Sequence, residues 1–211
     1  KEPVQFFYEL FLNEKGAKIS KSKGNDISID QWLRYAPKDS MALYMYQSPG
    51  KAKKLFFDVI PKNVDEYIIF NQKYHLEEDQ SKKFSNPLYH IHNGSVPKIN
   101  MHDLTFNLLV NLASVCNPDS KEILWQYVKK YAPNANREES KYLDQLIDLV
   151  INYYNDFVKT TKSYLKTNKE SKKILEKLYS MLNTCSNAIQ GEELQSKIYE
   201  IGMEVNYSNL K

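Results

Sequence analysis

A lysine-rich segment near the start of the chain combines residue types that suit phosphate chemistry. It contains four lysines within nine residues: Lys15, Lys18, Lys21 and Lys23. Ser20 and Ser22 alternate with them, and Gly16 and Gly24 flank the core of the segment. Ammonium and hydroxyl groups donate hydrogen bonds to phosphate oxygens, and glycine lets a backbone approach a ligand. These residues predict a loop that closes over a triphosphate and neutralises the charge of departing pyrophosphate.

The order of these residues is more informative than their composition. A short basic run is usually a solvated loop, but Lys18-Ile19-Ser20-Lys21-Ser22 resembles the KMSKS signature of class I aminoacyl-tRNA synthetases, with Ile19 at the usual methionine. In that family the loop stabilises the attack of the amino-acid carboxylate on the α-phosphate of ATP. The resemblance implies that Lys21 holds pyrophosphate and Lys18 assists it, while Ser20 and Ser22 complete the ATP-binding loop.

Longer stretches downstream resemble one member of this class, class I lysyl-tRNA synthetase. They read ISIDQWLRYAP at 27–37, PGKAKKLFFDVIP at 49–61 and NPLYHIHNG at 86–94. The resemblance implies a lysine–tRNA ligase whose partners are tRNA(Lys), ATP and L-lysine. It also implies Mg²⁺ as the counter-ion of ATP, no protein-bound metal in this part of the protein, and a monomer.

The second signature of the family, His-x-Gly-His, has no match among the four histidines of the chain. The chain begins with Lys1 inside a strand-like run, and the helix-capping types Ser208 and Asn209 stand at its other end. We therefore expect a C-terminal portion of a longer enzyme, truncated at both ends and inactive by itself.

The elements that must position the loop follow from the hydrophobic pattern. Residues 5–12 have the aromatic and apolar density of a strand, and residues 14–26 have no apolar period. Helical patterns begin at Ser28 and at Asp39 or Ser40. They then predict helices over these spans: 63–79, 102–115, 119–132, 137–167, 171–188 and 192–205. The segment 81–101 is predicted to be an ordered loop because it contains Pro87, Gly94 and Pro97.

This order of elements predicts a mainly α fold in two parts. Residues 1–61 would hold the end of the catalytic domain, the KMSKS loop and a short, strand-containing stem-contact segment. The resemblance implies that residues 62–211 form an all-helical anticodon-binding domain. We expect the boundary near residue 61, where the composition changes and Pro61 interrupts the apolar run.

Composition excludes several classes of protein. The net charge of +3 is too small to indicate a nucleic-acid binder by itself, and an apolar content of 42% argues against general disorder. No apolar run is long enough to cross a bilayer, so no membrane role is expected. Two cysteines cannot form a disulfide framework, which favours the cytoplasm.

Basic and aromatic residues downstream are candidates for RNA contacts. Lys51, Lys53 and Lys54 follow a turn beside the stem-contact segment, and we expect them to meet the tRNA backbone. Tyr153 and Tyr154 stand at helical spacing and are more typical of a core than of base stacking. The pattern His90-x-His92 has no third ligand nearby, so a hydrogen-bonded structural pair is favoured over a metal site.

Two other functions remain open from the sequence. One is a non-catalytic helical tRNA-binding module in which the lysine loop is vestigial. The other is a class I synthetase for a different amino acid, because nothing in these residues shows an amino-acid pocket.

Overall fold

The computed structural model describes residue 5 and residues 7–19, 27–163, 168–184 and 191–203. Helices dominate these residues, which confirms the mainly α prediction. The elements in chain order are β1 (Phe11–Leu12), α1 (Ile29–Leu33), α2 (Lys38–Tyr46), β2 (Lys53–Lys54), α3 (Val59–Leu76), α4 (Gln80–Ser85), α5 (Pro87–Ile91), α6 (Phe106–Cys116), α7 (Lys121–Tyr131), α8 (Lys141–Tyr153), α9 (Lys169–Thr184) and α10 (Gly191–Met203).

The chain forms two compact units, Lys1–Lys162 and Ser163–Lys211. In the second unit, α9 and α10 pack against each other. Residue 61, where composition predicts a boundary, lies in the first turn of α3 within the first unit. The functional division into residues 1–61 and 62–211 stays a prediction. No helix among the described residues is both long and apolar enough to span a bilayer.

The core of the first unit is built where α6, α7 and α8 pack together. The apolar residues of the helix predicted over 137–167 are buried there, and the fully enclosed ones include Leu143, Leu146, Ile147 and Val150. This burial confirms the helical period, because residues three and four apart share one face of a helix. Trp32 of α1 is also fully buried in this core, so the segment after the lysine loop is anchored to it.

The predicted strand over 5–12 is much shorter in the structure. Only Phe11 and Leu12 form β1, which pairs in parallel with Lys53 and Lys54 of β2. Phe7 remains 78% exposed, so the aromatic density before β1 does not reflect burial against this sheet. Apolar residues favour a strand only where a partner strand covers them, and β2 is two residues long.

Two further predictions are corrected by the structure. The segment 81–101 contains α4 and α5, because Asp79 accepts a hydrogen bond from the Ser81 amide and Asn86 accepts one from Leu88. Pro87 begins α5 at a position where its missing N–H costs no helical hydrogen bond. The helix predicted over 137–167 starts at Lys141, widens into a π-helical turn at Tyr154–Val158 and ends in a 3₁₀ turn at Lys159–Thr161.

Candidate functional site

A tight turn after β1 positions Lys18, the first lysine of the signature. The Asn13 amide donates to the Ala17 carbonyl at 2.8 Å, and the Ala17 amide donates to Oδ1 of the Asn13 side chain at 2.9 Å. Gly16 has a φ of +79°, a conformation that side chains other than glycine rarely adopt. The turn brings Lys18 back beside Leu12 in an antiparallel bridge and leaves it exposed.

The residues on either side of 20–26 are anchored to the fold. Ile19 and Ile27 pack against the main core, and the Ile19 amide donates to the Phe11 carbonyl at 3.0 Å. Ser28 caps α1 reciprocally: its hydroxyl accepts from the Gln31 amide at 3.1 Å, and its amide donates to the Gln31 side chain at 2.8 Å. The residues that precede and follow 20–26 are therefore held in place by packing and by the helix cap.

Three of the four residues assigned to ATP, namely Ser20, Lys21 and Ser22, lie outside the described residues. The structure thus locates Lys18 alone among them. The roles of all four stay predictions.

The far end of α1 is tied to the π-helical turn after α8. Arg34 forms an ion pair with Asp156 at 3.0 Å, and the Tyr35 hydroxyl donates to the same carboxylate at 2.8 Å. Burial, followed by the hydrogen bond and charge of Asp156, raises the pKa of Tyr35. The Tyr35 ring also meets Phe157 edge-on at 4.9 Å. Because Asp156 and Phe157 are adjacent, the wide turn lets consecutive side chains face the same helix.

The three lysines predicted to meet RNA differ in their surroundings. The Lys53 ammonium donates to the carbonyls of Tyr44, at 2.5 Å, and Gln47, at the end of α2. Burial lowers the pKa of Lys53. Lys54 is exposed and reaches the Glu14 carbonyl at 3.1 Å, and Lys51 is exposed in the preceding turn. Lys51 and Lys54 therefore face solvent, whereas Lys53 is engaged by the fold.

His90 and His92 serve separate hydrogen bonds. Nε2 of His90 lies 2.8 Å from the Phe84 carbonyl, and Nε2 of His92 lies 3.1 Å from the Tyr67 hydroxyl. Within the described ranges no three His, Cys, Asp or Glu side chains come together as potential metal ligands.

The chain is similar in sequence to known proteins of one class. Residues 1–95 match the family model described as tRNA synthetases class I (K). All 211 residues align with lysine–tRNA ligases of Rickettsia: identity is 58% to the proteins of Rickettsia peacockii (strain Rustic) and Rickettsia felis, and 57% to that of Rickettsia rickettsii (strain Sheila Smith). The chain spans 40% of the length of each of these relatives. The chain is therefore similar over residues 1–95 to class I tRNA synthetases of the lysine type, and over its whole length to part of known lysine–tRNA ligases.

Proposed function

We propose that this chain acts within a lysine–tRNA ligase, which activates lysine with ATP and transfers it to tRNA(Lys). The observation that carries the proposal is the identity of 58% to lysine–tRNA ligases over the whole chain, together with the signature order at residues 18–22. The proposal also places the protein in the cytoplasm, as a monomer.

The proposed reaction has two steps. A carboxylate oxygen of lysine attacks the α-phosphorus of ATP, the bond to the bridging oxygen of the β-phosphate breaks, and pyrophosphate leaves. A terminal hydroxyl of tRNA then attacks the carbonyl carbon of lysyl-adenylate, and AMP leaves. Mg²⁺ enters with ATP as its counter-ion.

The lysine loop is proposed to act in the first step. Negative charge accumulates on the β- and γ-phosphates as pyrophosphate departs, and a nearby ammonium stabilises that charge most when water is excluded. Lys21 would supply this charge and Lys18 would assist, while Ser20 and Ser22 would donate hydrogen bonds to the phosphates. The packing of Ile19 and Ile27 against the core supports the proposal, because it fixes the two points between which the loop must extend.

The remainder of the chain is proposed to bind tRNA. Lys51 and Lys54 would contact backbone phosphates directly, and Lys53 would hold the end of α2 beside them. The helical part from residue 62 onward would approach the anticodon. Bases of a single strand are recognised by stacking and by hydrogen bonds to their edges, which a helical surface can provide.

The catalytic assignment is tested with Lys21→Ala in the full-length protein. We expect lysine-dependent exchange between ATP and pyrophosphate, measured at saturating lysine, ATP and tRNA, to fall by about 100-fold or more. Lys62→Ala is the control, since Lys62 is an exposed lysine on α3 with no assigned role in ATP binding, and its exchange rate should stay near the wild-type value. Wild-type exchange in Lys21→Ala would contradict the role given to that ammonium.

A further inference from the structure

An aromatic surface lies where the ends of three helices meet. We define it by Tyr46 at the end of α2, Phe84 on α4, and Tyr89 and His90 on α5. The rings of Tyr46 and His90 are stacked, with centroids 5.6 Å apart and planes within 13°. Phe84 contacts Tyr89 and His90 at centroid distances of 5.0 and 5.1 Å. The four rings therefore form one continuous group.

This surface is exposed even though its scaffold is rigid. Phe84 is 57% and Tyr46 45% exposed, whereas large aromatic side chains are usually well buried. Beneath them, Leu43 and Leu88 are fully buried in a cluster that joins α2, α3 and α5. A fixed, exposed array of rings is an expected feature of a binding surface, since it can bury apolar area with little loss of side-chain entropy.

The charge of the two segments that build the aromatic surface suits a polyanion. Residues 40–57 and 80–102 contain no aspartate or glutamate, although the chain has 26 acidic residues among 211. These segments contain six lysines: Lys51, Lys53, Lys54, Lys82, Lys83 and Lys98. A protein partner with an apolar patch would not require this exclusion of acidic residues, whereas phosphate groups would.

Acidic residues flank both segments, at Asp39, Asp58, residues 77–79 and Asp103. Local backbone groups engage two of those at 77–79. The Glu77 carboxylate accepts hydrogen bonds from the amides of Glu78 and Asp79 and lies 3.8 Å from the Lys82 ammonium. Asp79 accepts the Ser81 amide at 2.8 Å as the cap of α4. These contacts hold the start of α4, which carries Phe84 and its neighbouring lysines.

Lysines also line a small cleft between α3 and α4. The cleft has a volume of about 220 Å³, and Lys73, Lys82 and Lys83 line it together with Tyr74 and the acidic Glu77. The Lys83 ammonium lies 5.7 Å from the centre of the Tyr74 ring. The cleft is smaller than a typical small-molecule site of about 300–1,000 Å³, so it suits a single group of a larger ligand, such as a phosphate.

We propose that the aromatic surface stacks an unpaired base of an RNA strand, while Lys51, Lys82 and Lys83 neutralise phosphates on either side of that base. Single-stranded RNA presents this combination of flat apolar faces and regularly spaced negative charge. The inference rests on the proposed function in that the RNA is tRNA. It adds a base-contacting surface at Tyr46 and Phe84, neither of which was predicted from the sequence to bind.

The test measures the affinity of the full-length protein for a transcript of its cognate tRNA(Lys) at several salt concentrations. Phe84→Ala and Tyr46→Ala should each weaken binding by about 5- to 100-fold, the effect of losing one stacked base. Their dependence on salt should match the wild type, because no phosphate contact is removed. Lys82→Ala combined with Lys83→Ala should instead lower the salt dependence by about one to two released ions.

Controls separate stacking from general packing. Phe84→Tyr retains a flat ring and should bind like the wild type, whereas Phe84→Leu retains apolar bulk and should bind like Phe84→Ala. Comparison of Phe84→Leu with Phe84→Tyr remains decisive even if Phe84→Ala unfolds at a lower temperature.

Unchanged RNA affinity in both Phe84→Leu and Tyr46→Ala would overturn the proposal and leave the surface to a protein partner. The wild-type protein is assayed in parallel for charging of tRNA with lysine. Charging together with unchanged affinity of the variants would refute the stacking surface alone. Absence of charging together with weakened variants would refute the ligase proposal alone.

Discussion

Three lysines within four positions have different tasks because a strand directs neighbouring side chains to opposite faces. In β2, Lys53 turns toward the carbonyls at the end of α2, and its ammonium lies 5.2 Å from the centre of the Tyr44 ring. Lys54 turns toward the Glu14 carbonyl on the other side. The sequence shows three equivalent basic residues. Only the structure shows that Lys53 is partly buried against the end of α2, whereas Lys54 stays exposed beside the turn after β1.

Lys53→Met should therefore reduce stability. The variant keeps most of the side-chain volume but leaves the carbonyls of Tyr44 and Gln47 without their donor, at an expected cost of about 1–3 kcal/mol in the free energy of unfolding. Urea denaturation measures this value. Lys51→Met removes an exposed ammonium from the same segment and should leave the stability unchanged. Equal stabilities for the two variants would contradict the capping role of Lys53.

At the scale of elements, α7 and α8 are joined by one carboxylate. Asp144 accepts hydrogen bonds from the Lys121 ammonium at 2.8 Å, the Trp125 indole at 2.8 Å and the Arg137 guanidinium at 2.9 Å. Burial raises the pKa of Asp144, but these three donors outweigh it and the pKa is lowered overall. The ionised carboxylate is therefore favoured more in the folded state than in the unfolded chain.

This shift has a definite sign in an acid titration. A carboxyl group whose folded pKa is lowered contributes stability above its unfolded pKa of about 3.9 and loses it as the pH falls through the folded value. Asp144→Asn should lower the free energy of unfolding by about 1–3 kcal/mol at pH 7, and its stability should fall less steeply than that of the wild type below about pH 4.

Asp148→Asn is the matched control, because Asp148 is 57% exposed and contacts Lys121 alone of these donors. Its effect should stay below about 1 kcal/mol. Parallel acid profiles for wild type and Asp144→Asn would contradict this assignment.

The elements were predictable where one physical signal dominated. The period of α8 is visible because its apolar residues share one buried face, and Tyr153 and Tyr154 are core residues as predicted. The helices α4 and α5 were missed because, at six and five residues, they are too short to show a helical apolar period, although Asn86-Pro87 is a cap followed by a favoured first residue. The π-helical turn has no local signature, since it depends on the contacts of Asp156 and Phe157 with α1.

The candidate site was predictable to a different degree. The order of residues 18–22 indicated the phosphate-binding loop, but Ser20, Lys21 and Ser22 fall outside the described residues and their roles stay predictions. The aromatic surface was not predicted, because Tyr46 and Phe84 are 38 positions apart and come together only through the packing of α2 against α5.

At the scale of the whole molecule, the first unit connects the loop to the helices that are proposed to meet RNA. The chain enters the loop from β1 and leaves it into α1, and α1 is tied to the end of α8 through Arg34, Tyr35 and Asp156. The short sheet joins the base of the loop to the basic segment that contains β2. One scaffold thus supports both the proposed ATP-binding loop and the proposed RNA contacts.

The central claim is that this scaffold serves a lysine–tRNA ligase, and the most direct test is the charging of tRNA by the full-length protein. Radiolabelled lysine, ATP with Mg²⁺ and cognate tRNA(Lys) are incubated with the enzyme, and acid-precipitable label is measured over time. We expect ATP-dependent transfer of lysine to tRNA that is not inhibited by an excess of the other unlabelled amino acids. Charging with a different amino acid, or RNA binding with no charging at all, would contradict it.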